Sequence, residues 1–295
     1  MFDAAFQSDT AGFQRSVGTL RIGLKQRDGT TALADLRQDG CLKARFPRVN
    51  PGEWLTGVTL NTSGGVAGGD RLHTEVVAAE STRTTISAQA AERFYRSVPG
   101  GRPSQVQNSV TVARSAALEW LPQETILFDR CALRRRLDVD VAQDAWFLGV
   151  ESLIFGRAAM GERVETAWLR DMIRVRRDGR LLLNDAIRFD GQVDMVMQGA
   201  ATGGGGRAIA TVILVAPEAG DRLHAVRHAM TEADRTSEEG IAGSRQPLAE
   251  AAASAWNGLL LGRILAPDSA ALRRIVTHVL AVLRGSRPLP RVWTC

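Results

Sequence analysis

Sulfur and imidazole are scarce in this chain. Its 295 residues include three cysteines and four histidines. Cys41, Cys131 and Cys295 lie far apart, with no Cys-x-x-Cys pair. That excludes a disulfide framework and suits a reducing cytoplasm. Long apolar runs are also missing. The longest mainly apolar stretch, Ala208 to Ala216, is about nine residues, where roughly 18 are needed to span a bilayer. The N-terminal stretch has no basic segment followed by an apolar one, so no secretory signal is expected. Lysine is nearly absent: Lys25 and Lys43 are the only two among 37 basic residues.

What is present is an ordinary globular composition, 44% hydrophobic and 23% charged, with a net charge of +5. The arginine and alanine excess reads as a genome-composition habit. Basic runs occur at Arg134–Arg136 and Arg174–Arg177, without the interleaved aromatics of a nucleic-acid surface.

Period-2 alternation dominates the first two thirds, the mark of half-buried strands. Residues 17–25 put Leu20, Ile22 and Leu24 on one face. Similar alternation runs through 71–79, 82–89 and 104–112. In 132–141, Leu133, Leu137, Val139 and Val141 share one face, and Arg134, Arg136, Asp138 and Asp140 the other. The basic run is therefore read as a face of mixed charges. Further strands are expected at 42–46, 54–61, 116–121, 145–155, 163–176 and 180–189. After a flexible-looking loop at 202–207 come a buried strand (208–216), a helix (221–234), a strand (257–265) and a helix (268–284). The last helix has an apolar stripe of Leu272, Ile275, Val276, Val279, Leu280 and Leu283. Asp268 or Ser269 can cap it and Gly285 can end it. The stripe is expected to need a partner's surface to cover it. The expected fold is mainly β, a layered β-sandwich or β-helix-like body with two α-helices in the C-terminal third. We expect one domain over 1–295, with a β-rich body at about 15–200 and an α/β part at about 207–285.

Residues 61–72, Asn-Thr-Ser-Gly-Gly-Val-Ala-Gly-Gly-Asp-Arg-Leu, hold four glycines: Gly64, Gly65, Gly68 and Gly69. Gly64 to Gly69 has P-loop spacing, but Asp70 and Arg71 stand where lysine and Ser/Thr belong. A strand, not a helix, is expected next, so no helix N-terminus would face a phosphate. An enzyme gripping a phosphorylated small molecule here is one alternative reading, and a basic nucleic-acid-binding protein is another. His224 and His228 are four apart on an expected helix and could share a metal, although no third ligand is evident.

Three more segments carry isolated acids among strand residues: Ala91 to Ser97 (AERFYRS), Leu118 to Asp129 (LEWLPQETILFD) and Glu151 to Arg163 with its Phe-Gly-Arg. With the 61–72 loop and the closing Pro-Arg-Val-Trp-Thr at 290–294, they occur in an order that resembles the urease accessory protein UreD family, called UreH in some organisms. Asp185 stands where relatives often have Glu, and Cys295 is an extra terminal residue.

The resemblance implies a chaperone without catalytic activity that supports nickel insertion into apo-urease (UreABC). It implies a heteromeric complex with UreF and the GTPase UreG, without nucleic acid or membrane. It also implies a water-filled route for nickel in transit, with no tightly held cofactor. Weak, exchangeable oxygen ligands suit such a cargo, whereas a Cys or His cage would trap it. The acids expected in the interior or along the route are Asp70, Glu92, Glu124, Asp129, Glu151 and Asp185. Arg71, Arg93, Tyr95 and Arg157 are expected as their neighbours. Each acid could equally be one half of a structural ion pair with an arginine.

Overall fold

A computed structural model describes residues 15–50, 52–157, 160–235, 249–285 and 287–294. Its strands in chain order are β1 (Val17–Arg27), β2 (Thr30–Gly40), β3 (Leu42–Arg45), β4 (Leu55–Asn61), β5 (Arg71–Ala78), β6 (Arg83–Ala88), β7 (Glu92–Phe94), β8 (Ser104–Val112), β9 (Ala117–Leu121), β10 (Thr125–Leu127), β11 (Ala132–Val141), β12 (Trp146–Phe155), β13 (Thr166–Arg177), β14 (Arg180–Gln192), β15 (Ala208–Val215), β16 (Glu250–Trp256) and β17 (Leu259–Ala266). The helices are α1 (Val193–Gln198), α2 (Leu223–Arg235) and α3 (Ser269–Arg284).

The strands form two sheets. The first runs β14-β13-β11-β8-β5-β1-β2; the second runs β16-β17-β15-β12-β9-β6-β4-β3, with β10 joining β12 to β7. From β4 to β13 the chain passes between sheets with nearly every strand. β5, β8, β11 and β13 therefore pair in parallel in one sheet, and β4, β6, β9 and β12 in the other. This coiling is the β-helix-like body expected from the alternation.

Alternating residues of both sheets meet between them. Leu20, Ile22, Val76, Val110, Leu137 and Val139 face Ile86, Leu118 and Phe147. A second core lies on the far side of the second sheet, where Leu148, Val150, Val212 and Ile264 meet Val226 and Met230 of α2 and Ile275 and Val279 of α3. β12 separates the two cores and is buried from Phe147 to Phe155. Burial on both faces is why that segment reads as a nearly continuous apolar run.

The Asp268 carboxylate caps α3, accepting from Ala271 N at 2.8 Å, and Gly285 at φ 64° follows its last turn. The apolar stripe of α3 is not left for a partner, because β15, β17 and α2 cover it. The glycine-rich run at 202–207 is a closed turn, in which Thr202, Gly203 and Gly204 all donate their N–H to the Gly199 carbonyl. β2, β7, β10, β16 and α1 are additions to the expected elements. No helix among the described residues is long and apolar enough to cross a membrane.

Candidate functional site

A cavity of about 320 Å³ opens at one end of the two sheets. Asn61, Gly64, Gly65, Glu92 and Arg93 line its outer part, and Trp120, Thr125, Arg135 and Glu151 its inner part. Four of the sequence motifs therefore converge there.

The 61–72 loop is shaped by close packing. Gly65 has φ 142°, and a Cβ added to it would lie 2.4 Å from the Tyr95 ring. The Tyr95 hydroxyl donates to the Gly64 carbonyl at 2.7 Å, and its ring meets Phe128 edge-on at 5.1 Å. Arg157 lies 4.2 Å over that Phe128 ring and pairs with Glu162 at 2.7 Å. A Cβ on Gly68 would crowd the Ser97 hydroxyl, while Gly69 has a positive φ. β5 follows the loop.

Asp70 is buried beside the loop and does not line the cavity. Its two carboxylate oxygens accept from the Ser16 and Ala67 N–H groups, each at 2.8 Å. It therefore ties the loop to the residue before β1. Arg71 points outward from the first sheet, and Arg93 is exposed at the cavity rim.

Glu92 is half-buried at the mouth, where Oε2 accepts from Asn61 Nδ2 at 3.1 Å. No cation among the described residues forms an ion pair with it. Burial pushes its pKa above the ordinary carboxylate value, against the pull of Asn61 and the Arg93 backbone and charge.

Glu151 forms the inner wall. Its Oε1 accepts from Trp120 Nε1 at 2.9 Å, and its Oε2 lies 2.6 Å from Arg135 Nη1. Arg135 also grips Asp171 in bidentate fashion, at 2.8 and 2.6 Å, and donates to Thr125 Oγ1 at 2.7 Å. Burial opposes its charge, but Asp171 and Glu151 outweigh it and raise its pKa, so the guanidinium stays cationic. Burial likewise drives Glu151 upward, Arg135 pulls it down, and Asp171 adds to the rise.

The remaining acids have structural partners. Glu124 pairs with Arg273 at 2.7 Å and Asp185 with Arg263 at 2.6 Å. Asp129 accepts from Thr166 N at 3.0 Å and lies 3.4 Å from Arg130. Of the six acids, the structure brings only Glu92 and Glu151 to the cavity. His224 and His228 are exposed on α2, and no group of three potential ligands among His, Cys, Asp and Glu exists among the described residues.

Sequence reasoning passed over Arg135 and Asp171. Yet Arg135 is in phase with Leu133 and Leu137, and Asp171 with Leu169 and Ile173, so strand phase marks both as inward. A second buried network was also missed. Glu119 is fully buried, accepts from Arg284 Nε and Nη2 at 2.9 Å each and from Thr85 Oγ1 at 2.6 Å, and lies 2.8 Å from Arg287. Arg287 packs over Trp54 at 3.9 Å. Beyond it, Trp293 Nε1 donates to the Leu121 carbonyl at 3.1 Å, fastening the C-terminal motif to β9.

The family profile described as UreD urease accessory protein matches residues 16–294. A protein of Xanthobacter autotrophicus called urease accessory protein UreD is 44% identical over 280 residues, covering 95% of this chain and 90% of the relative. Urease accessory protein UreD 2 of Methylorubrum populi is 44% identical over 284 residues, covering 95% and 91%. A UreD protein of Azorhizobium caulinodans is 41% identical over 280 residues, covering 95% and 97%.

Proposed function

Starting from the fact that this chain belongs to the UreD urease accessory protein family, we propose that it carries nickel toward apo-urease in a cytoplasmic complex with UreF and the GTPase UreG. Its role lies in urease maturation, as an accessory chaperone and not as a catalyst.

The observation that carries the nickel reading is Glu92. It is a carboxylate at the mouth of a cavity, hydrogen-bonded to an amide and, among the described residues, in no ion pair, with Arg93 next to it in the chain. Such an oxygen donor binds a divalent ion weakly enough to release it. Deeper in, Glu151 and Asp171 share the single guanidinium of Arg135, two carboxylates to one cation. That excess of negative charge favours a passing cation while Arg135 prevents a tight site. Asp70, Glu124, Asp129 and Asp185 serve the scaffold in this proposal, because none of them lines the cavity and each is held by backbone or arginine.

The test is Glu92→Gln, which keeps size and the acceptor for Asn61 but removes the charge. The expected result is a complex that still assembles with UreF and apo-urease and yields urease with less nickel per active site. Normal nickel content with this variant would overturn the route. Normal nickel content in urease from a strain lacking the chain altogether would overturn the nickel role itself.

A further inference from the structure

The outer face of the first sheet carries a row of side chains that the cavity does not use. In register, Arg71 lies opposite Gln105, Gln105 opposite Arg134, Arg134 opposite Arg170, and Arg170 opposite Arg188. Cross-strand partners share a face, and each arginine neighbours an inward residue: Leu72, Leu133, Leu169 or Phe189. The row crosses five strands, a span of about 19 Å at the usual strand spacing.

Like charges directly opposite one another destabilise a sheet, and Arg134, Arg170 and Arg188 stand on three adjacent strands. Compensation is sparse. Asp190 alone serves both Arg170, at 3.2 Å, and Arg188, at 3.5 Å. Arg71 and Arg134 form no ion pair among the described residues. Arg134 and Arg170 instead flank the Trp168 ring, at 5.7 and 4.9 Å. Farther along the same face the balance is restored, since Arg136 and Arg174 share Asp138 at 2.6 and 2.7 Å. The excess is therefore local, and it borders an open groove of about 560 Å³ lined by Arg130, Arg134, Trp168 and the loop from Ser97 to Pro103.

We propose that this row and groove dock an extended, acidic segment of a protein partner. Guanidinium groups take carboxylates in pairs of hydrogen bonds, and the Trp168 ring offers an apolar surface between them. A row of four arginines with one aromatic and one carboxylate is too small for the cationic stripe that tracks a nucleic-acid backbone. The inference goes beyond the nickel reading and stands without it.

The test uses the full chain, a fluorescent oligo-glutamate peptide and a single-stranded oligonucleotide of equal charge. The peptide binds, and binding weakens from low to physiological salt. The double variant Arg134→Gln, Arg188→Gln binds it about tenfold more weakly, while Arg21→Gln with Arg37→Gln on the same sheet has no effect. Relief of like-charge contact leaves the melting temperature of the first pair unchanged or raised. On the wild-type chain alone, bound peptide protects Arg134 from phenylglyoxal, read by mass spectrometry. Wild-type affinity in the double variant, absence of protection, or an oligonucleotide that outcompetes the peptide would each overturn the assignment. Because Glu92→Gln leaves this surface intact, peptide binding by that variant separates failure here from failure of the nickel route.

Discussion

Glu151 Oε2 lies 2.6 Å from Arg135 Nη1 where the cavity meets the core, and both side chains are about 6% exposed. The pair is not isolated, because Asp171 holds the same guanidinium from its other edge. Losing the cation is therefore worse than losing either acid. Arg135→Met strands two buried carboxylates and costs about 3–5 kcal/mol. Glu151→Gln leaves Arg135 paired with Asp171 and costs about 1–3 kcal/mol. Chemical denaturation of the two variants checks the order, and an Arg135→Met protein as stable as wild type would contradict it.

Glu92 gives a pH signature. Burial raises its folded-state pKa above the ordinary carboxylate value. From that value up to its folded pKa, the native state holds the proton more often than the unfolded one. Its contribution is thus fully present below the unfolded value and is lost as pH rises through the folded one. Glu92→Gln removes that loss. Melting temperatures across mildly acidic pH are expected to fall less steeply with rising pH in the variant than in wild type. Parallel curves would mean that Glu92 titrates as it does in the unfolded chain.

The buried charges of β9 and the C-terminal segment are coupled. Glu119→Ala and Arg284→Ala each leave a buried partner and are each expected to cost about 3–5 kcal/mol. The double variant is expected to cost less than their sum, because the second substitution removes the charge exposed by the first. A double-mutant cycle by denaturation measures this, and strict additivity would show the two groups to be energetically separate.

The 61–72 loop offers a steric comparison. Gly65→Ala drives a methyl group into the Tyr95 ring and is expected to cost about 1–3 kcal/mol or more. Gly29→Ala also has a positive φ, 77°, but meets nothing within 4 Å. It carries only the backbone penalty, about 1–2 kcal/mol. In a Tyr95→Ala background, Gly65→Ala is expected to cost less than in the wild type, because the ring is gone and only the backbone penalty at φ 142° remains. Thermal unfolding of the single and double variants decides it.

Strand phase made most of the fold readable. β11 shows how far this goes: Leu133, Leu137, Val139 and Val141 were placed inward from alternation alone. The same phase puts Arg135 inward, but an arginine within a basic run looks like surface until its two acids are known, and they come from β12 and β13. β2 escaped because an exposed edge strand has no buried alternate face to give it a pattern. β16 escaped because Glu-Ala-Ala-Ala-Ser-Ala-Trp lacks the branched residues that mark strands. The acids of the motifs were visible as residues, but their partners were not. Whether an acid faces a cavity, as Glu92 does, or an arginine, as Glu124 does, depends on contacts such as Arg273 that lie 149 residues away.

Glu119 precedes Arg284 by 165 residues and Arg287 by 168. During synthesis, the carboxylate leaves the ribosome long before its counter-charges are made. Until they arrive, that side chain keeps its water, and the middle of the second sheet stays open around it. Trp293, made later still, then closes over Leu121 and Ser87. Closure of the second sheet is thereby tied to the synthesis of residues 284–293. A nascent chain stalled before Arg284 holds an acid whose two counter-charges are missing, and it stays in the loosely packed state on which cellular proteases act.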